Sequence, residues 1–417
     1  DQLERMMQEQ LDGLLDTDAA ELLFQNLDED TEAAGQYERL ETVDMALKRA
    51  PMARAPQHLA AVIMARLAEQ VEAQQEIQEL PEELRKMLLG IQSYHKFDGA
   101  PDRLPLDEIW RAGTMSVHAV PEHEYISNQP AIILIPSMIN KGYVLDLMEG
   151  RSMLRWFGAQ GFNPYLLDWG AVSEDAGQRD MDGAVMDRII PALEFLNKRH
   201  GDAVHALGYC MGGTVLLGAA TRAQKHLKSI TMLAAPWDFH AGSQALLNRV
   251  KFFAPSAFPV IEEKGVLSVD WIQTLFASLD PAMTAKKFSK FEDMDKTSNA
   301  AKIFVAVEDW LNDGVELPAA IAQHCITDWF LKNQTYAGQW KINGEFVHPE
   351  MIDIPTLIVA SKKDRLVEYE CAAALQERIA HADIINPECG HIGMIAGGVS
   401  VEKVWAPVAK WIRSHDK

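Results

Sequence analysis

Cys210 stands at the centre of Gly208-Tyr209-Cys210-Met211-Gly212, a G-x-C-x-G pentapeptide that is the G-x-S-x-G nucleophile elbow with sulfur in place of oxygen. An elbow is a sharp strand-to-helix turn that lifts a nucleophile above a sheet. Gly208 and Gly212 let neighbouring backbone approach where a side chain would collide. A helix beginning just after Cys210 aims its first N–H groups and positive dipole end at the sulfur, which favours thiolate. It also places the Met211 N–H to donate to an oxyanion. Asp364, in Ser361-Lys-Lys-Asp364-Arg-Leu-Val367, and His391, in Cys389-Gly-His391-Ile-Gly393, follow in the order nucleophile, acid, histidine. In that arrangement His391 is the general base for Cys210, while Asp364 orients its ring and stabilises imidazolium. Each residue has a plainer reading: a buried cysteine in a glycine-rich turn, a turn acid, a capped loop histidine. Their correct order, taken together, favours the triad.

The elements that must hold these residues are short apolar runs at wide intervals. They are Ala131–Ile135, Pro164–Leu167, Val204–Leu207, Ile230–Leu233, Pro355–Val359 and the weaker Ala382–Ile385. Helical stretches such as Asp187–Lys198 lie between several of them. Strands that are apolar throughout and alternate with helices indicate a parallel sheet buried on both faces. Cys210 follows the third run, Asp364 the fifth and His391 the last, so all three meet at the carboxyl edge. Over 240–350 the alternation lapses, and a structureless loop of that length is disfavoured. The expected fold is therefore α/β, an α/β-hydrolase core with a mostly parallel central sheet flanked by helices. Its parts are an acidic helical segment over 1–104, core over 105–239, an inserted cap over 240–350 and core again over 351–417.

The composition bounds the remaining possibilities. The chain has 417 residues, 48% hydrophobic and 24% charged, which excludes wholesale disorder. Its formal charge of −21 argues against a nucleic-acid partner. Residues 1–90 hold 20 acids and 8 bases, a net of −12, so the excess is concentrated at the start. There Leu11, Leu14, Leu15, Leu22, Leu23 and Leu27, and later Ala60–Val71, recur at helical spacing. Their charges read as solvated helix faces, with a docking or dimerisation segment as the functional alternative. Cys210, Cys325, Cys371 and Cys389 form no CxxC pair and no zinc spacing, which favours free thiols in a reducing compartment. No basic segment followed by an apolar one opens the sequence, and no run approaches the ~18 apolar residues of a membrane span. The expectation is a soluble cytoplasmic protein without integral membrane association.

Further residues carry a resemblance. Ile139-Asn140-Lys141-Gly142-Tyr143-Val144-Leu145-Asp146-Leu147 is similar to the I-N-K-x-Y-x-L-D-L block of the polyhydroxyalkanoate synthases. Gly208–Thr214 resembles their modified lipase box. Leu167-Asp168-Trp169, Trp237-Asp238-Phe239, Glu308-Asp309-Trp310, Asn343-Gly344, Asp364–Val367 and Gly390-His391-Ile392 complete the series over roughly 105–415. The resemblance implies a cysteine acyltransferase. Cys210 takes a 3-hydroxyacyl group from coenzyme A as a thioester and passes it to a growing polyester. The CoA thioester is then substrate, and no metal or other cofactor is implied.

Asp364 is also implied in activating the incoming 3-hydroxyl. In hydrolase folds the loop after the first core strand gives the second oxyanion donor, here Ile139 or Asn140, with Asn140 preferred. Trp237 and Asp238 stand on the catalytic edge, where they would line the acyl pocket. Asp168-Trp169, by contrast, reads as packing at the sheet edge, and Cys389 as a bland neighbour of His391. Residues 240–350 would cover the site and restrict water. The implied location is the cytoplasm, on polyester granules, and a homodimer is left open. Glu368 departs from the family, which has proline there, as does the Gly393–Gly398 continuation. Two alternatives stand beside this reading. One is a cysteine hydrolase: a polyester depolymerase, a thioesterase or a dienelactone-hydrolase-like enzyme. The other is a non-catalytic granule-associated or regulatory relative.

Overall fold

The computed structural model describes Leu23 and residues 82–416, except 100, 102, 122–125, 127 and 172–179. The helical reading of 1–81 therefore lies outside the described residues, Leu23 apart. The chain enters its sheet by a hairpin, β1 (Asp107–Ala112) and β2 (Met115–Ala119). Six strands follow: β3 (Ala131–Ile135), β4 (Asn163–Asp168), β5 (Val204–Tyr209), β6 (Leu227–Leu233), β7 (Thr356–Val359) and β8 (Asp383–Ile385). The spatial order is β1-β2-β4-β3-β5-β6-β7-β8. β2 is antiparallel to both neighbours, while β3 to β8 run parallel.

The six apolar runs of the sequence are the six parallel strands. Successive side chains point to opposite faces, so a strand covered on both sides must be apolar at every position. β3 is the clearest case: Ile133 and Ile135 enter one core layer, Ile132 and Leu134 the other. The β1–β2 hairpin is absent from the sequence reading. β1 is half exposed, with Asp107, Glu108 and Arg111 turned to solvent, and its pattern is too polar to signal a strand.

The described helices begin with α1 (Glu82–His95), α2 (Met153–Ala159), α3 (Ile190–His200) and α4 (Met211–Ala223). A π-helical turn over Ala184–Ile189 leads into α3, so the helix expected from Asp187 starts earlier and with wider winding. After β6 come α5 (Ala245–Lys264), α6 (Val269–Ala277), α7 (Met283–Glu292), α8 (Asn299–Asn312) and α9 (Ala319–Gln323). α9 continues as a π-helical turn over His324–Leu331. Ser268 and Ser298 start α6 and α8 by accepting a first-turn N–H on their hydroxyls. α1 lies on α7 and α8: Met87, Leu88 and Ile91 pack on Phe288, and the Tyr94 hydroxyl donates to Asp309 at 2.6 Å. α10 (Tyr369–Ala373) follows the Asp364 loop, and α11 (Ala406–Ser414) ends the described chain.

Candidate active site

Cys210 joins β5 to α4 with φ 54° and ψ −130°, a conformation non-glycine residues seldom adopt and that costs about 1–3 kcal/mol. Bonds on either side hold it there. The Cys210 N–H donates to the Leu233 carbonyl at 2.8 Å, and the Gly213 N–H donates to the Cys210 carbonyl at 2.9 Å. The two glycines do what the spacing predicts. A Cβ at 208 would collide with the Gly213 backbone, and one at 212 with the Ile135 and Pro136 carbonyls. Met211 opens α4, so its N–H is among the first-turn donors a helix leaves unpaired.

His391 and Asp364 meet beside the elbow. Asp364 Oδ2 accepts from His391 Nδ1 at 2.7 Å, and Oδ1 accepts the N–H groups of Leu366 (2.8 Å) and Val367 (3.0 Å). Both carboxylate oxygens are thus engaged in a group only 4% exposed. The bond at Nδ1 turns the other ring nitrogen away from Asp364, and the His391 side chain hydrogen-bonds Cys210. Burial alone would lower the proton affinity of His391. The Asp364 carboxylate and Cys210 outweigh it and raise the pKa to about 10. The ring is therefore imidazolium at neutral pH.

Sequence reasoning missed Tyr209, a variable position of the pentapeptide. Its ring lies 5.0 Å from the His391 ring, and its hydroxyl donates to the His391 carbonyl at 3.4 Å. Burial raises the Tyr209 phenol well above its usual value, so it stays neutral beside the charged groups. Ser361 ties the acid loop to the histidine loop by donating to the Cys389 carbonyl at 2.6 Å.

In front of Cys210 lies a cavity of about 120 Å³. Ile139, Met211, Phe239, Trp271, Leu275 and Phe330 are among its walls, with Gln244 and Glu368 as polar members. Cys325 and Cys371 also line it, but burial pushes both thiols up, Cys371 to about 12. Burial raises the Cys389 thiol too. Glu368, the departure from the family pattern, accepts the N–H and hydroxyl of Ser243 and so joins the Asp364 loop to the start of α5. Among the described residues no group of three or more His, Cys, Asp or Glu is placed to hold a metal ion.

Ile139 and Met211 reach this cavity as expected positions, whereas Asn140, Trp237 and Asp238 do not line it. Asn140 turns its amide to the carbonyls at the end of α8. Trp237 is fully buried, its ring 6.1 Å from that of Trp340 and its main-chain N–H donating to the Cys371 carbonyl. Asp238 is occupied by the His240 N–H and the Asn333 amide. Their neighbours Pro236 and Phe239 face the cavity instead. Trp169 packs the sheet edge, its indole N–H donating to the Pro136 carbonyl at 3.0 Å.

The sequence profile of the family described as "alpha/beta hydrolase fold" matches residues 157–397, more than half of the chain. The chain belongs to the α/β-hydrolase fold family. Within it, the chain is similar to the poly(3-hydroxyalkanoate) polymerase subunit PhaC of Haloarcula marismortui, 26% identical over 298 residues, covering 70% of this chain and 62% of that protein. The subunit of Haloferax mediterranei is 26% identical over 293 residues, 69% of this chain and 59% of its own. That of Thiocystis violacea is 24% identical over 289 residues, 68% of this chain and 81% of its own. The chain thus spans about three fifths of the two haloarchaeal relatives' length. The resemblance to the polyhydroxyalkanoate synthases rests on these homologues as well as on motifs. Among solved structures, a monoacylglycerol lipase of Paleococcus ferrophilus is 14% identical, with a TM-score of 0.45, covering 70% of this chain and 97% of its own. Among the described residues no helix is long and apolar enough to cross a membrane.

Proposed function

We propose that this α/β-hydrolase is a cysteine acyltransferase of the polyhydroxyalkanoate synthase type, moving 3-hydroxyacyl groups from coenzyme A to a growing polyester. The observation that carries the reading is the chain Cys210–His391–Asp364, with His391 holding its proton to about pH 10. An imidazolium hydrogen-bonded to the sulfur is a counter-charge for a thiolate, which supports Cys210 as the nucleophile. Its sulfur adds to the thioester carbonyl, and the Met211 N–H, with a main-chain donor at Ile139, stabilises the oxyanion. The carbon–sulfur bond to coenzyme A then breaks, and the leaving thiolate takes the His391 proton. Exchange of one thioester for another is nearly isoenergetic.

The second half uses the same groups in reverse. In the acyl-enzyme the sulfur carries no charge, and His391, now neutral, can accept the proton of a 3-hydroxyl. The oxygen attacks the acyl carbonyl, an ester forms, and the Cys210 thiolate leaves to restore the ion pair. Asp364 supports the imidazolium in both halves and so serves the hydroxyl through His391. The apolar walls disfavour water as the competing acceptor. The polyester chain as partner and its cytoplasmic granule as location belong to the same proposal.

Purified protein and a Cys210→Ala variant are offered 3-hydroxybutyryl-CoA while free thiol and insoluble polymer are followed. Polymer from the wild type and neither product from the variant is the expected result. Thiol release with only free acid would make the protein a hydrolase. Thiol release unchanged by Cys210→Ala would sink the cysteine mechanism.

A further inference from the structure

The loop after β3 is bound chiefly to the end of α8. Asn140 Nδ2 donates to the Trp310 and Leu311 carbonyls at 3.3 and 3.5 Å, among the carbonyls a helix C-terminus leaves unpaired. Trp310 Nε1 donates to the Lys141 carbonyl at 2.7 Å, and Lys141 Nζ pairs with Asp313 at 2.6 Å. The Val315 N–H donates to the Ile139 carbonyl at 3.3 Å, and Asn140 forms a β-bridge with Gly314. Residues 139, 140 and 141 therefore each hold α8 or the strand of chain that leaves it. Trp310 is buried in the core layer that contains Leu145 and Leu147, so this strap is not a surface decoration.

The same loop faces the nucleophile. Ile139 lines the cavity with Cys210 and Met211. Its N–H donates to Ser137 Oγ at 3.3 Å, a long bond to a neutral acceptor. A negatively charged oxyanion is the stronger acceptor and would draw that N–H away.

We propose that Asn140 is a positioning residue: by clamping the end of α8 it holds the main chain at Ile139 beside Cys210 and Met211. With α8 seated, the loop stands where the Ile139 N–H can pass from Ser137 to the oxyanion. The inference rests on acyl transfer at Cys210 as proposed above.

The test compares the full-length wild type with Asn140→Ala, Trp310→Phe and the double variant. Two acyl donors are used, 3-hydroxybutyryl-CoA and p-nitrophenyl acetate, beside alkylation of Cys210 by iodoacetamide, which forms no oxyanion. Acyl transfer should fall on the order of tenfold in kcat, with KM changed less than about threefold, as for loss of a donor used in the transition state. Alkylation should stay within about twofold of wild type, and the double variant should be no worse than the poorer single one, as for groups acting as a unit. Acyl transfer equal to wild type in Asn140→Ala would overturn the proposal alone. Alkylation falling in step with acyl transfer would also overturn it, since the strap would then merely hold the elbow together. A wild type inert toward both donors would sink the reading of Cys210 and this proposal with it.

Discussion

Proton position at the Cys210–His391 pair depends on one carboxylate. Asp364 has spent Oδ1 on two main-chain N–H groups, so Oδ2 can neither rotate away nor take another partner without breaking its own loop. Removing its charge should let burial dominate, and the His391 pKa should drop from about 10. Asp364→Asn is therefore expected to leave His391 far less protonated beside Cys210. The readout is the pH profile of Cys210 alkylation. At pH 7 the variant should be alkylated about tenfold or more slowly than wild type, with a different pH profile, because the imidazolium beside the sulfur is lost. A variant profile matching the wild type's would show that Asp364 does not set the charge of the pair.

At the scale of elements, the elbow depends on α4 passing directly against the end of β3. Gly212→Ala would press a methyl group into the Ile135 and Pro136 carbonyls, which are main chain and cannot swing aside. A cost of about 1–3 kcal/mol is expected in urea unfolding. Thiol release should fall further than stability does, because a shifted elbow moves the sulfur from its line of attack. Stability and activity both unchanged would mean that the packing is looser than the geometry indicates.

The same elements explain what could be read in advance. β3 to β7 were legible because burial on both faces favours an apolar run. β8 was the weaker signal because it is an edge strand with Asp383 exposed. The elbow was legible because its glycines are sterically required. The placement of Asp364 and His391 followed from which strand ends they succeed. The β1–β2 hairpin escaped notice because half of β1 is solvated. Asn140 was preferred to Ile139 as an oxyanion donor because it lies in the loop after the first core strand, which supplies that donor in hydrolase folds. Its real partners are carbonyls 170 and 171 residues away, and sequence spacing carries no signal for such a pair. Trp237 and Asp238 were placed on the correct edge, but which side of a turn faces a cavity depends on the loop's path.

For the molecule as a whole, buried histidines set a pH window of stability. His205 in β5 is 1% exposed, with Ser229 at 2.7 Å and Asp416 at 3.4 Å. Burial lowers its pKa to about 4, against the Asp416 carboxylate that raises it. The folded value lies below the unfolded one, so the contribution is present above about pH 6.5 and is lost as pH falls toward 4. Its size is about 3 kcal/mol. His200 is moved the same way, also by burial. His391 acts oppositely: its folded pKa is raised, so its contribution holds below about pH 6.5 and is lost as pH rises through about 10. Tm should therefore be highest near pH 6.5, declining toward pH 5 as His205 takes up its proton and declining again as pH rises toward 10 and His391 loses its own. A Tm that rises steadily toward pH 5 would contradict the assigned protonation of His205.

If acyl groups pass through Cys210, as proposed, a covalent thioester must form on its sulfur. Full-length protein mixed with 3-hydroxybutyryl-CoA, quenched in acid and digested, should yield a 3-hydroxyacyl adduct on the peptide carrying Cys210. Neutral hydroxylamine should remove it, as befits a thioester. Thiol release accompanied by an adduct on another residue, or by none at any quench time, would contradict the account.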